Sequence, residues 1–353
     1  MIAARGLRRR AASPGRNSPE SAPRTMQDDL YRSDQAIGAS AMDSGKRQKA
    51  AFYWAHEGGG DIFEQAAGSN LPRIRKAAQD PTARGPVPVI ARNETVFADL
   101  SAAKQQTISN ALSEMTSIRK SIADTGPQID TIKQTRRRLK AMDPNYVKGQ
   151  PYPENPQPVK PRLTELLQQT TALKQNARNQ RAQAQSSLSA WQERHDAFAA
   201  TEIKHAGDVG MASLHPQHTK LYVLGHGNAG YDALQTTPDD GVFALTDVAK
   251  GLKQSGLNPD FESIRMTSCH SADAVKPTHF LADPPAIHDG ARAPAQTLAN
   301  ALKAEGFTQP KVTGYQGQGI NIPPGTTITR RIESGDPNPV KRSTVAKVFT
   351  PEK

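Results

Sequence analysis

Two short apolar runs in the last third of the chain constrain the fold most strongly, because each ends in a side chain that can do chemistry. Residues 221–224 lead to His226, and residues 263–267 lead to Cys269, the one cysteine of the chain. Short apolar runs of this kind are typical of buried strands. In parallel α/β sheets, sites are built at strand ends and in the loops that follow them. The pattern predicts two strands that bring a histidine and a cysteine to one edge of a sheet.

Helix signals separate these strands from each other and from a third strand. Residues 247–254 and 294–305 have the composition of helices, and Gly306 follows the second one, as is common at helix ends. Lys311–Tyr315 is expected to be the third strand. This β-α-β-α-β order predicts an α/β fold with a mainly parallel sheet flanked by helices, in a domain that spans residues 204–353.

The end of the chain has a different pattern. Residues 326–332 and 343–349 are rich in β-branched side chains and flank a segment that contains Gly335, Pro337 and Pro339. Two such runs around a Gly- and Pro-containing segment predict a β-hairpin with a longer loop. We expect this C-terminal β-hairpin to form a flap beside the main sheet.

Residues 97–200 are predicted to form a helical hairpin or coiled-coil arm. Apolar side chains near its start recur every three or four residues and so share one helix face: Ile108, Leu112, Met115, Ile118 and Ile122. Gly126 and Pro127 are expected to break this first helix. A long second helix is expected over residues 163–199. The polar faces of both helices indicate an arm that binds a partner protein. The candidate partner is a host protein.

The N-terminal part contains little apolar sequence. Residues 1–49 form a basic, Arg-, Ser- and Pro-rich leader that we expect to be disordered, because it cannot bury enough surface to offset chain entropy. Residues 50–96 carry mixed signals. The run 87–90 could be a short strand, and Pro88 would confine it to a sheet edge.

Composition limits the classes of function. A formal net charge of +11 favours anionic partners such as phosphate-rich ligands. Aromatic residues make up only 5% of the chain and no known nucleic-acid module is recognisable, so specific nucleic-acid binding is not expected. One cysteine excludes an internal disulfide and a multi-thiolate zinc site. No segment has the length and apolarity of a membrane span or of a cleaved export signal.

His226 and Cys269 suit covalent catalysis. A thiolate is the nucleophilic form of cysteine, and a nearby base or positive charge is needed to populate it at neutral pH. His226 could take the thiol proton and later protonate the leaving amine. The backbone N–H groups of Gly227 and Cys269 could stabilise an oxyanion, and glycine at 227 permits close approach of substrate backbone.

The order of these motifs resembles that of the caspase-like cysteine peptidases (clan CD). The resemblance is closest to the autoprocessing cysteine protease domains of large clostridial and MARTX toxins. Gly-His-Gly at 225–227 and Ser-Cys at 268–269 match the blocks that carry the catalytic histidine and cysteine of that family. Residues 242–245 and 312–315 are similar to its segments between and after those blocks. The resemblance covers residues 204–353 and implies a caspase-like fold.

The same resemblance implies a regulatory flap that binds inositol hexakisphosphate as an allosteric activator. The basic residues that could contact this ligand are Lys311, Arg330, Arg331, Lys341, Arg342 and Lys347. The chemistry itself is expected to require no cofactor and no metal. The resemblance also implies a bacterial protein that is secreted or translocated into a host cell, although a cytoplasmic one is not excluded by the sequence.

Several alternatives remain open at this point. His288 or His279 could replace His226 as the base, and Asp232, Asp239 or Asp240 could be a third catalytic member. His215 and His218 have a spacing that metal ligands can have, yet no carboxylate or cysteine pattern accompanies them, so loop histidines are expected. The basic run 136–138 could bind nucleic acid, although a solvated helix face is the simpler interpretation.

The sequence therefore predicts a cysteine endopeptidase of a bacterial toxin or effector, which could cleave itself. The alternative is a non-catalytic translocated effector that binds host proteins through its helical arm, since a fold does not by itself imply a function.

Overall fold

The computed structural model describes residues 50–145, 150–151, 154, 160–237, 241–276, 280, 291–320, 330–333 and 336–353. The predicted leader, residues 1–49, lies outside these ranges. The strands of the described part are β1 (Ala50–Ala55), β2 (Val89–Ala91), β3 (Ile203–His205), β4 (Thr219–Val223), β5 (Ala233–Gln235), β6 (Val242–Ala244), β7 (Ser263–Met266), β8 (Lys311–Tyr315), β9 (Gln318–Gly319), β10 (Arg330–Glu333), β11 (Asp336–Lys341) and β12 (Ala346–Phe349). Its α-helices are α1 (Gly60–Gln79), α2 (Glu94–Ala141), α3 (Pro161–Ala200), α4 (Ala206–Val209), α5 (Leu245–Gln254) and α6 (Pro294–Ala304).

The main sheet confirms the predicted α/β architecture with a mostly parallel centre. Its strands lie in the order β12-β8-β7-β4-β1-β2-β3, and all neighbours are parallel except β12, which pairs antiparallel with β8. From the centre, β1 to β3 extend to one side, while β4, β7 and β8 extend to the other. The chain therefore changes direction between β1 and β4. In a doubly wound sheet, the loops that leave two such strands diverge and open a crevice at their carboxyl ends.

Two hydrophobic cores cover the two faces of the sheet. Successive strand side chains point to opposite faces, so Trp54 packs into one core and Tyr53 into the other. Helices α5 and α6 cover the face of Trp54, with buried Val248 and Leu298. Helix α1 and the sheet-proximal ends of α2 and α3 cover the other face. Helices on both faces explain why strand β1, at the centre of the sheet, is apolar along its whole length.

The α/β domain begins at β1, which corrects the boundary predicted at residue 204. Strands β1 and β2 lie inside the sheet, between β4 and β3, so the mixed segment 50–96 is part of the same fold. The short strand near residues 87–90 exists, but it is not at an edge. Pro88 precedes the ladder, and its carbonyl accepts a hydrogen bond from the N–H of Tyr53 (2.9 Å), so the missing proline donor costs nothing there.

The helical hairpin is confirmed, but its first helix is not broken. Helix α2 continues from Glu94 to Ala141 with Pro127 inside it. Pro127 is exposed, while Thr125 and Ile129 on either side of it are buried. Helix α3 packs along α2, and this packing keeps the helix intact despite the lost backbone hydrogen bond. The hairpin connects β2 to β3, and Phe198 near its end belongs to a sheet core.

The C-terminal hairpin forms, but its second strand is not the one predicted. Strand β10 pairs with β11, which contains Pro337 and Pro339, and with β9 to form a small antiparallel sheet. Both prolines are tolerated because β11 is an edge strand. Residues of the run 343–349 instead form β12, which extends the main sheet beside β8 and packs Phe349 against a core. Residues 326–329 lie outside the described part.

None of the described helices is both long and apolar enough to cross a lipid bilayer.

Candidate active site

A cleft opens at the carboxyl edge of the sheet, where β1 and β4 diverge. Its volume is about 410 Å³, which is in the range of small-molecule and substrate sites. His226 follows β4 and Cys269 follows β7, and both line this cleft. Helix α1, the end of α3 and the strand β10 supply other walls. The two side chains that the sequence singled out are therefore brought to one cleft, as the strand-end argument predicts.

The backbone of His226 is fixed from both sides. Its N–H donates to the carbonyl of Gln235 (2.8 Å), and its own carbonyl accepts from the Gln235 N–H (3.0 Å). Gly225, directly before it, has φ of 146°, a conformation that favours glycine. The amide of Gln65 on α1 holds both backbone groups of Gly225, at 2.8 and 3.1 Å. These contacts direct the imidazole into the cleft.

Asp61 is the carboxylate nearest to this histidine among the described residues. Oδ2 of Asp61, in the first turn of α1, lies 3.6 Å from Nε2 of His226. This Nε2 is buried and has no hydrogen-bond partner within the described part of the chain. At this distance a small movement of either side chain would bring Asp61 within hydrogen-bond range of the ring.

The loop that carries Cys269 is rigidly held. His270, the next residue, has φ of 53°, which is rare for a residue other than glycine. The ring Nδ1 of His270 lies 2.9 Å from Oδ2 of Asp273, and the backbone N–H of His270 donates to the carbonyl of Gly317 (2.9 Å). The same Asp273 oxygen accepts from the Gly317 N–H (2.9 Å). This strained conformation persists because these contacts over-determine it, and such strain is common at functional sites.

Arg331 of β10 places a buried positive charge under the cysteine loop. The side chain is 2% exposed, and its guanidinium donates to the carbonyls of Thr267 (2.7 Å), Ser268 (3.2 Å) and Gly317 (2.7 Å). Burial lowers the pKa of Arg331 to about 10, while the interaction with Cys269 opposes this shift. A guanidinium with that pKa is still cationic at neutral pH, so a buried positive charge lies beside the cysteine loop.

Gly227 has a packing role that the sequence did not predict. A Cβ at this position would lie 2.8 Å from Cβ of Ser268 and 3.0 Å from the carbonyl oxygen of Cys269. The close neighbour of Gly227 in the structure is therefore the cysteine loop. Its glycine lets the loops after β4 and β7 touch, which sets the position of Cys269 relative to His226.

Two of the six candidate phosphate ligands are engaged elsewhere. Arg331 is buried against backbone carbonyls, as described above. Lys311 lies at the start of β8, at the opposite edge of the sheet from the cleft, and pairs with Glu262 (2.7 Å). Neither side chain is available to a ligand at the cleft, so the six residues do not form one surface.

The remaining candidates differ in their surroundings. Arg342 lines the cleft, and its guanidinium stacks over the ring of Tyr315 with 5.0 Å to the centroid. Within the described part of the chain no carboxylate pairs with Arg342, so its donors can reach an anion. Lys341 is exposed and Lys347 is half-buried in β12. The side chain of Arg330 is not among those described.

The other sequence candidates do not reach the cleft or cannot be placed. His279, His288, Asp239 and Asp240 lie outside the described residues. Asp232 is exposed and does not line the cleft. The rings of the loop histidines 215 and 218 contact each other, with 4.3 Å between centroids. No group of three or more potential metal ligands occurs in the part of the chain that the structure describes.

Sequence reasoning missed Asp61, although a signal for it exists. The segment 50–55 is an apolar, aromatic run, and the glycines 58–60 followed by Asp61 come after it. A strand followed by a glycine-rich turn is the same strand-end pattern that identified His226 and Cys269. Arg331 was identified as a phosphate ligand, whereas the structure places it against the cysteine loop.

Comparisons of the chain with protein-family models, with curated proteins and with solved structures found no match.

Proposed function

We propose that the protein is a caspase-like cysteine endopeptidase that hydrolyses peptide bonds through Cys269 and His226. The observation that supports this most directly is their position: both line one cleft at the carboxyl edge of the sheet, beside the buried cation Arg331. A nucleophile, a base and a positive field in one concave site are the elements of thiol catalysis. The motif resemblance, rather than the geometry, supports a bacterial toxin or effector as the setting.

In the proposed reaction, His226 removes the proton of the Cys269 thiol, and the thiolate attacks the peptide carbonyl. The N–H groups of Gly227 and Cys269 donate to the oxygen that becomes negative. The tetrahedral intermediate collapses to a thioester as protonated His226 gives its proton to the departing amine. Water, deprotonated by His226, then attacks the thioester carbonyl, the C–S bond breaks to release the acid product, and the Cys269 sulfur takes back the proton from His226. Asp61 orients the ring through Nε2, which leaves the other nitrogen for proton transfer.

The small sheet of β9 to β11 gives this site a possible control point. Arg331 belongs to that sheet and holds the carbonyls just before Cys269. A ligand that repositions this small sheet would move Arg331 and with it the cysteine loop. Ordering of a segment by a bound ligand is a common way to switch a site. Arg342 and Lys341 are the basic residues on its flank that remain open to an inositol polyphosphate.

The test is labelling of the purified chain with a peptide that carries a thiol-directed electrophile, with and without inositol hexakisphosphate, read by mass spectrometry at Cys269. Labelling is expected in the wild type and strongly reduced by His226→Gln, with His195→Gln on α3 as the matched histidine control. Cleavage of a degenerate peptide library should be lost in Cys269→Ala.

Each result has a definite meaning for the proposal. Labelling that depends on the polyphosphate supports regulation through the small sheet of β9 to β11. Labelling without the polyphosphate supports the peptidase activity but contradicts the role of an activator. Cleavage that persists in Cys269→Ala contradicts the peptidase. A folded protein that is labelled in neither condition would instead favour the non-catalytic effector.

A further inference from the structure

The distal half of the arm carries positive charges where an antiparallel helix pair normally buries apolar side chains. Lys133, Arg136 and Lys140 on α2 follow buried Ile129 at intervals of four, three and four residues. This spacing is the seam pattern of packed helices, whose positions are usually apolar. The three cations are half-buried rather than fully exposed. Within the run 136–138, Arg136 therefore lies at the seam, whereas Arg137 and Arg138 are exposed.

Helix α3 presents cations to the same seam. Lys174 is half-buried and lies between buried Thr170 and Ala177, with the same spacing of four and three residues. Arg178 follows it one turn later. The charges of Arg178 and of the three α2 cations lower the pKa of Lys174, so the five side chains are close in space. We call Lys133, Arg136, Lys140, Lys174 and Arg178 the seam cluster.

The seam cluster is incompletely neutralised by the described residues. Lys133 pairs with Asp130 at 2.7 Å. No ion pair joins Arg136, Lys174 or Arg178 to a carboxylate in the described part of the chain. Nε of Arg136 is buried without a hydrogen-bond partner there. A buried donor without an acceptor, among like charges, costs stability unless an anion completes the site.

We propose that the seam cluster binds a compact ligand that carries several phosphate groups, either free in solution or as a lipid headgroup. The α2 cations extend over seven residues, about 10 Å along the axis, and packed helices lie about 8–10 Å apart. This footprint fits a small polyphosphorylated group, and Arg and Lys donors form strong charge-assisted bonds to phosphate. No aromatic residue occurs in 129–145 or 161–190, so the cluster lacks the stacking surface that single-stranded nucleic acid requires.

The first measurement is calorimetric titration of the full chain with inorganic tripolyphosphate at physiological salt. The double variant Arg136→Gln with Lys174→Gln should weaken binding by about tenfold or more, since each charge-assisted contact contributes on that scale. The matched control removes the same charge from exposed positions of the same helix, Arg119→Gln with Lys120→Gln, and should bind as the wild type does. The titration is repeated in an Arg342→Gln background, where the seam double variant should cause the same loss of binding, which separates the arm from the cleft.

Thermal unfolding provides a second measurement, which distinguishes a phosphate site from a charged face that is merely solvated. Without ligand, the seam double variant should unfold at a higher temperature than the wild type, because like-charge repulsion is relieved. Tripolyphosphate should raise the wild-type midpoint and raise that of the seam variant much less at the same concentration. Flotation with phosphatidylcholine vesicles, with and without phosphatidylinositol bisphosphate, then distinguishes a lipid headgroup from a free ligand.

Three results would overturn the proposal. One is equal tripolyphosphate binding by the wild type and the seam variant. Another is a seam variant that is no more stable than the wild type without ligand and responds to tripolyphosphate in the same way. The third is binding of duplex RNA but not of tripolyphosphate or of the bisphosphate vesicles, which would assign the cluster to nucleic acid. None of these outcomes depends on peptidase activity, so they test the arm separately from the cleft.

Discussion

Ser268 and Ser271 lie on either side of the cleft cysteine, and their buried hydroxyl groups meet different surroundings. Oγ of Ser271 donates to the Met266 carbonyl (2.9 Å) and accepts from the Tyr315 N–H (2.9 Å). Oγ of Ser268 is buried with no partner in the described part of the chain. A buried hydroxyl without a partner loses its hydration and gains nothing in return.

Ser268→Ala should therefore stabilise the protein, by about 1–2 kcal/mol, because the uncompensated hydroxyl is removed. Ser271→Ala is the matched control and should destabilise it by about 1–3 kcal/mol, since the Tyr315 N–H would lose its acceptor. Urea unfolding of the two variants measures both effects. A loss of stability in Ser268→Ala would show that its hydroxyl has an acceptor, such as an ordered water.

His56, at the end of β1, makes stability depend on pH. Burial, together with the charge of Arg92, lowers its pKa from the usual 6.5 to about 4. Nε2 of His56 lies 3.1 Å from Nη1 of Arg92, so a neutral ring can accept from the guanidinium and a protonated ring cannot. The unfolded chain takes up this proton below about pH 6.5, whereas the folded chain does not until about pH 4.

The contribution of His56 is thus fully present above pH 6.5 and is lost as the pH falls towards 4, by up to about 3 kcal/mol. In His56→Gln this part of the acid sensitivity should disappear, so the stability gap to the wild type narrows between pH 7 and pH 4.5. Urea midpoints at several pH values measure the gap. A gap for His56→Gln that stays constant would mean that the ring is accessible to protons in the folded state.

At the level of elements, the sequence pattern predicted the strands beside the two motifs but missed the central strand β1. Strand β8 has the bounds that the sequence predicts, and β4 and β7 differ from their predicted ranges by one or two residues. Strand β2 is three residues long, too short for any periodicity to define. Strand β1 was missed because its apolar run lies beside the glycine-rich turn 58–60, whose mixed composition dominated the interpretation.

Helix α2 shows a different limit, since local propensity predicted a break where tertiary packing maintains the helix. Gly126→Ala should stabilise the arm by about 0.5–1 kcal/mol, because glycine is a poor helix former and a Cβ there would meet no atom within 4 Å. Gly251→Ala in α5 is the opposite case, since its Cβ would lie 2.9 Å from the His56 ring. It should destabilise the protein. Hydrogen exchange of α2 amides measures the first effect, and an increase in their exchange rate in Gly126→Ala would contradict it.

At the scale of the whole molecule, sequence pattern predicted the class of the sheet but not its extent. Pairing between β1 and β4 joins segments on either side of a helical hairpin whose two helices have 48 and 40 residues. No local signal can report that distant segments are neighbours, and the position of Asp61 beside His226 depends on that pairing. The motif pair at His226 and Cys269 could be predicted because the two residues follow strands β4 and β7, which are neighbours in the sheet.

A direct consequence is that residues 204–353 should not fold alone. Without β1, the strand β4 loses its central neighbour and the cores around Trp54 and Tyr53 are exposed. A chain that begins at Lys49 should resist proteolysis and elute as a compact species, whereas the 204–353 fragment should aggregate or be degraded. A folded, monomeric fragment of 204–353 would show that the two halves of the sheet are independent units.

The position of Arg331 in the chain also means that the site is completed late during synthesis, after both motif loops have been made. Ribosomes release the histidine and cysteine loops before the strand that carries this arginine, and elongation at about 5–20 residues per second makes the interval several seconds long. During that interval the carbonyls before Cys269 have no guanidinium to bind. On the proposed mechanism, a nascent chain therefore holds its nucleophile in an unfinished setting, and the thiol reaches full reactivity only after β10 has been synthesised and has folded against the cysteine loop.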